Sequence, residues 1–99
     1  MRGGGNAVDA AIGGAVLLGF CEPQMTGIGG DCFALIKPAG SDDVVAVNGS
    51  GRAPAGLDAN ALRANGISKI VPEHHAAVTL PGAVDAFCKM SDTYGRVGL

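Results

Sequence analysis

Between Glu22 and Lys37 the chain reads Glu-Pro-Gln-Met-Thr-Gly-Ile-Gly-Gly-Asp-Cys-Phe-Ala-Leu-Ile-Lys, and no single regular element can run through it. Pro23 stops a helix arriving from the N-terminal side, because it has no N–H to donate and its ring clashes with the preceding turn. Gly27, Gly29 and Gly30 then permit positive φ and the close approach of another backbone or of a ligand. The short apolar run that follows reads as a strand. Two readings of the turn stand side by side: a bend between helix and strand, or the wall of a substrate pocket. Composition alone favours the bend, since glycine punctuates structure more often than it binds anything.

Upstream, Gly3-Gly4-Gly5-Asn6 is a loop ending in a good N-cap, and Asp9 completes a capping-box-like arrangement while favouring the positive end of the helix dipole. From Ala7 to about Gly19 the sequence is apolar on every face, which predicts a helix buried all round. Gly13 and Gly14 each cost that helix about 1 kcal/mol relative to Ala, a cost that close packing of another element would offset. Downstream, Cys32–Ile36 and Val44–Val47 read as an antiparallel hairpin buried on both faces, joined by the polar, turn-rich Lys37–Asp43. Asp58 caps a short helix, Ala59–Asn65, with Gly66 at its end. The segment 67–78 is irregular. A last helix opens at Pro81 and stops at Gly95, with Val84, Phe87, Cys88, Ser91 and Tyr94 at helical spacing on one face. The fold class is α+β, a hairpin between two packed helical segments.

Ninety-nine residues make at most one domain. Hydrophobic residues reach 47% but aromatics only 4%, so the core must be built of Ala, Val, Leu and Ile, thinned by 17 glycines. That mixture suits a piece of a larger protein. A net charge of −2 without a basic cluster argues against nucleic acid as a partner. The uncharged run Ala10–Cys21 falls short of the roughly 20 residues that span a bilayer, so no membrane span is expected. No signal peptide is visible in the chain. Cys21, Cys32 and Cys88 form neither a disulfide framework nor a metal pair, and are expected as reduced, buried thiols. That leans toward a reducing compartment without fixing localisation.

The candidates for chemistry are few. Gly49-Ser50-Gly51 misses the spacing of a nucleophile elbow. Gly27–Cys32 lacks the third glycine of a dinucleotide fingerprint and precedes a strand instead of following one. His74 and His75 are adjacent, so their side chains are expected to diverge, and only Glu73 joins them; no metal or other cofactor is expected. Asp9 reads as a helix-start residue, and Asp31 as a turn residue bonding nearby backbone N–H groups. Arg52 follows a buried strand and a Gly-Ser-Gly segment. A guanidinium held there offers a planar fork to a carboxylate, or an ion pair to another part of the protein.

Gly4-Gly-Asn-Ala-Val-Asp-Ala-Ala11 resembles the signature near the N-terminus of γ-glutamyltransferases. Pro23-Gln24, Gly27-Ile-Gly-Gly30, Phe33, Ala53-Pro54, Leu80-Pro-Gly-Ala-Val84 and Tyr94-Gly95 are similar to later blocks in the same order. The resemblance implies an N-terminal-nucleophile hydrolase, a four-layer αββα sandwich made as a proenzyme. Residues 1–99 would be the N-terminal part of its large subunit. The nucleophilic Thr would begin a small subunit that this chain lacks, so no catalytic residue is assigned and the chain alone is expected to be inactive. The implied partners are that small subunit and a γ-glutamyl or similar acyl-amide substrate. Members are often periplasmic or extracellular. The family's carboxylate-binding Arg, aligned on Ala-Pro, falls on Ser50, with Arg52 two residues later; Ser50 and Arg52 are the candidate substrate-binding residues. On an extended backbone that shift keeps the same face, about 6.5–7 Å along. The displacement leaves room for the acylase-like and small-amide-hydrolase branches. A degenerate, non-catalytic scaffold is the remaining alternative. For the glycine stretch the resemblance implies a pocket wall, at most half of a site that the other subunit completes.

Overall fold

The computed structural model describes residues 2–99. In chain order it has helix α1 (Ala7–Cys21), strands β1 (Cys32–Ile36) and β2 (Val45–Gly49), helix α2 (Ala59–Ala64), a single 3₁₀ turn (His75–Ala77) and helix α3 (Ala83–Tyr94).

The start of α1 is set by Asn6. Its side-chain oxygen accepts from the N–H groups of Val8 and Asp9 at 2.9 and 3.2 Å, while the Asp9 carboxylate accepts from the Asn6 N–H at 2.7 Å. The capping box is therefore complete, and two otherwise orphaned donors are satisfied. The helix runs through to Cys21, and Pro23 lies just beyond it. Burial all round is not what the fold gives. Only Ile12 is buried, at 3% exposure, with Val8 and Ala15 partly covered beside it, which is one stripe at helical spacing. Phe20 is 83% exposed, and a Cβ on Gly13 or Gly14 would meet nothing within 4 Å. Within this chain α1 has partners on one side only.

β1 and β2 pair antiparallel in the register Cys32↔Gly49 to Ile36↔Val45. The hairpin is covered on one face, where Cys32, Ala34, Ile36 and Val47 pack against the core of Ile12, Ala83, Ala86, Phe87 and Met90. On the other face Phe33 and Leu35 are 67% and 78% exposed. The expectation of burial on both faces is thus corrected for the described residues: α1 and α3 form a helical layer behind one side of a two-stranded sheet.

α2 ends at Ala64, and Gly66 takes φ +79° as its end requires. α3 begins two residues after Pro81, and its buried face is Ala83, Ala86, Phe87, Met90 and Ser91. Val84 and Cys88 lie outside it, 48% exposed in the case of Val84. The helix is turned so that its small residues face β2, because a Cβ on Gly49 would collide with that of Ala86. Small against small brings helix and strand together there.

Candidate functional site

Three segments remote in sequence meet where α3 begins. The Gly30 carbonyl accepts from the N–H groups of Gly82 and Ala83 at 3.1 and 3.0 Å. The N-cap Gly82 has no side chain to cap α3, so the glycine turn supplies the acceptor instead. Asp31 Oδ1 accepts from the Gly51 N–H at 3.2 Å and from the Thr79 hydroxyl at 3.1 Å. The Leu80 N–H donates to the Arg52 carbonyl at 2.9 Å, and the Ser50 N–H to Asn48 Oδ1 at 3.0 Å. Glycine is required at the centre of this junction. A Cβ on Gly51 would fall on the Leu80 carbonyl, and one on Gly82 would strike the Gly49 carbonyl.

The two candidate substrate-binding residues sit on the segment so held. Strand β2 ends at Gly49, so Ser50 and Arg52 lie just beyond it, on a segment without regular secondary structure. The backbone at Arg52 is held on both sides, by Asp31 through Gly51 and by Leu80 through its own carbonyl. Its exposed guanidinium has no hydrogen-bond or ion-pair partner among the described residues; the ion pairs there are Lys37–Asp42 at 3.7 Å and Lys89–Asp85 at 2.6 Å. Ser50 is exposed too, its hydroxyl 3.4 Å from the Gly51 carbonyl. The fixed backbone and open guanidinium together can receive an anion with little reordering.

The glycine turn works differently from its composition. None of Gly27, Gly29 and Gly30 has positive φ, which occurs at Gly4, Gly40, Gly66 and Gly98. Asp31 reaches past its own turn to Gly51, 20 residues on, and to Thr79, 48 on. Asn48 and Thr79, which nothing in the local pattern marks, complete the junction. Thr79 has the hydroxyl that an Asp in a turn can pair with, but no local spacing links the two.

The remaining candidates lie elsewhere. Asp9 accepts from the backbone N–H of Arg96 at 3.0 Å and of Val97 at 3.4 Å, besides its bond from Asn6. Asn6 Nδ2 donates to the Tyr94 carbonyl at 2.6 Å. The Asn6–Asp9 signature is therefore a clasp between the start of α1 and the end of α3, with the roughly 18 Å length of α3 separating it from the junction. Hydrogen bonds, that from Asn6 foremost, hold the Asp9 carboxyl below its ordinary range against a smaller opposing effect of desolvation. The His74 and His75 rings do not diverge but stack, with centroids 4.3 Å apart, and His74 Nδ1 accepts from the Ala76 N–H at 3.0 Å. No group of three metal-ligating side chains occurs among the described residues. All three cysteines are free; Cys21 and Cys88 are exposed, contrary to expectation, and only Cys32 is half-buried, its thiol pushed up by that burial. An apolar cavity of about 400 Å³ lies between α1, β1 and α3, lined by Val8, Ile12, Ala34, Phe87 and Met90 among others, with no convergence of polar groups. No helix among the described residues is long and apolar enough to cross a membrane.

The family model described as gamma-glutamyltranspeptidase matches residues 1–99. The chain belongs to the γ-glutamyltranspeptidase family. It is 35% identical over 98 residues to the glutathione hydrolase-like YwrD proenzyme of Bacillus subtilis, a match covering 97% of this chain and 18% of that protein. Among solved structures, a cephalosporin acylase from Bacillus halodurans superposes with a TM-score of 0.85 at 41% identity, over 97% of this chain and 18% of that one. The Helicobacter pylori γ-glutamyltranspeptidase superposes with a TM-score of 0.81 at 28% identity, over 96% of this chain and 28% of that one. The chain thus spans about a fifth of the length of the curated family relatives it matches. Its mixed helix-and-strand fold is shared with these N-terminal-nucleophile family structures over nearly all of its length.

Proposed function

We propose that this chain is the N-terminal part of the large subunit of an amidohydrolase or acyltransferase, and that Arg52 grips a carboxylate of its acyl-amide substrate. The supporting observation is the free guanidinium on a backbone fixed at both sides, at the open end of a helix-backed sheet. The reaction follows the family chemistry. A Thr at the N-terminus of a separate small subunit attacks the amide carbonyl while its α-amine takes the hydroxyl proton. That proton passes to the departing amine as the C–N bond breaks, and the acyl group of the acyl-enzyme is then transferred to water or to an amine acceptor. Nothing in residues 2–99 takes part in that bond exchange. The contribution made here is orientation: a bidentate guanidinium–carboxylate pair fixes one end of the substrate while the amide is presented to the nucleophile.

The layer arrangement supports placing the hairpin in an αββα sandwich. Its helical layer covers one sheet face, and the opposite face bears Phe33 and Leu35, which suit packing against a second sheet. Ser50 would line the same pocket mouth. A second reading keeps the scaffold and changes the substrate. Because Arg52 leaves from a loop beyond the strand end, the pocket is shaped for an acyl group other than γ-glutamyl, as in the acylase and small-amide branches; the acylase likeness favours this.

The test uses the full-length protein. Autocleavage into two bands on a denaturing gel is the first requirement, and its absence points to a non-catalytic scaffold. Arg52→Ala is then expected to raise KM for a carboxylate-bearing amide about 10–100-fold, the loss of one charged, hydrogen-bonded pair. Unchanged KM removes Arg52 from the site. Comparing a γ-glutamyl anilide with simpler acyl anilides separates the two substrate readings.

A further inference from the structure

We propose that Asp31 is a positioning residue for substrate binding: its carboxylate fixes the Ser50–Arg52 segment so that the guanidinium meets the substrate carboxylate. The inference rests on the carboxylate reading of Arg52 and adds to it the group that sets where that guanidinium lies. One oxygen, Oδ1, takes both bonds, from the Gly51 N–H at 3.2 Å and the Thr79 hydroxyl at 3.1 Å. The first of these fixes the Ser50–Gly51 peptide plane, and with it the direction in which residues 50 and 52 leave the chain. The second ties the same oxygen to the segment that leads into α3. That segment holds Arg52 from the other side, through the Leu80 N–H at 2.9 Å from the Arg52 carbonyl. The neighbouring Gly30 carbonyl is anchored to the first N–H groups of α3, so Asp31 projects from a braced base. Without Asp31 the Gly51 N–H loses its acceptor and one of the two braces on the Arg52 backbone is gone. The other brace and the interlocked glycines remain. The expected defect is therefore a loosened carboxylate grip, not unfolding.

The two bonds need only one acceptor atom, which an Asn side chain also has. This separates positioning from charge. In the full-length enzyme, KM and kcat are measured for an acidic amide and for its neutral analogue with a methyl group in place of the carboxylate. D31A is expected to raise KM for the acidic amide about tenfold, with kcat and the neutral amide changed less than about twofold. D31N is expected to restore KM to within about threefold of wild type, and D31A to add nothing once R52A is present. If R52A raises KM and D31A does not, the assignment of Asp31 falls while the carboxylate reading stands. If R52A leaves KM unchanged, the carboxylate reading falls and Asp31 with it. Equal losses on both amides, or a D31A effect that persists in the R52A background, overturn the assignment in favour of a purely structural Asp31. Should D31A fail to process, T79V removes one of the two donors and isolates the same brace. It is expected to raise KM for the acidic amide about threefold, and an unchanged value overturns the proposal.

Discussion

One carboxylate, Asp9, joins the start of α1 to the residues after α3. It collects backbone N–H groups from Asn6, Arg96 and Val97, which lie at opposite ends of the chain. These bonds favour the ionised form, so the folded-state pKa lies below the ordinary 3.8. A lowered pKa means that the stabilisation is present above the unfolded value and is lost as pH falls through the folded one. Asp9→Asn is therefore expected to lower the Tm of the full-length protein at neutral pH. The gap to wild type should narrow as pH falls below about 4, as the native carboxylate takes up its proton. Thermal melts of both proteins at half-unit pH steps check this; a gap of constant size across that range excludes the linkage. The Asn6–Asp9 pair was legible from the N-cap and the residue three positions on. Its reach to residues 94–97 was not, because those partners are backbone groups, which every residue has.

At the level of elements, the limits of the amino-acid pattern are physical. The starts of α1 and α2, the hairpin and the Gly66 stop follow from local chemistry that acts within a few residues, and the fold has them. The orientation of α3 does not. Periodicity weights Val84 and Cys88 by their hydrophobicity, whereas the helix turns Ala83 and Ala86 inward because Gly49 leaves room for a close approach. Arg52 could be singled out as a charge at a strand end; the Asp31, Thr79 and Leu80 contacts that hold its segment are tertiary and leave no periodic trace. The junction supplies a clean steric test. Gly82 has φ −116°, which Ala adopts freely, so only space forbids a side chain there. Gly82→Ala drives a Cβ toward the Gly49 carbonyl and to 2.9 Å from the Gly51 nitrogen. The expected cost is about 1–3 kcal/mol of stability, as for overpacking a core. Denaturant melts measure it, and KM for a carboxylate-bearing amide should rise with it because the Arg52 segment is displaced. A stability within about 0.5 kcal/mol of wild type would show that the junction yields.

The whole molecule is a slab of 54 × 32 × 18 Å with a radius of gyration of 16.9 Å, where a compact chain of this length has about 13 Å. Its accessible surface is 7360 Å², against about 5200 Å² for a free-standing protein of similar mass. Large apolar side chains are left open on the outer side of the hairpin, at Phe33 and Leu35, and along α1, at Val16, Leu17, Leu18 and Phe20, besides those on the connecting segments. This is why the uniformly apolar α1 reads as fully buried while the chain covers only one stripe of it. In isolation, residues 1–99 are therefore expected to bind a hydrophobic dye, to self-associate and to melt without a sharp transition, whereas the full-length protein melts cooperatively. Gly13 and Gly14 give this expectation a sign. Nothing lies within 4 Å of a Cβ placed on either, so in the isolated chain replacing both with Ala should raise helicity, by about 1 kcal/mol of helix propensity at each position. In the full-length protein another element packed closely on that face would meet the added methyl groups, and the same double substitution should lower the Tm. Circular dichroism of the isolated chain and calorimetry of the full-length protein provide the two readings. Helicity that rises in the isolated chain together with a Tm that rises in the full-length protein would mean that the glycine face of α1 stays open in the complete protein.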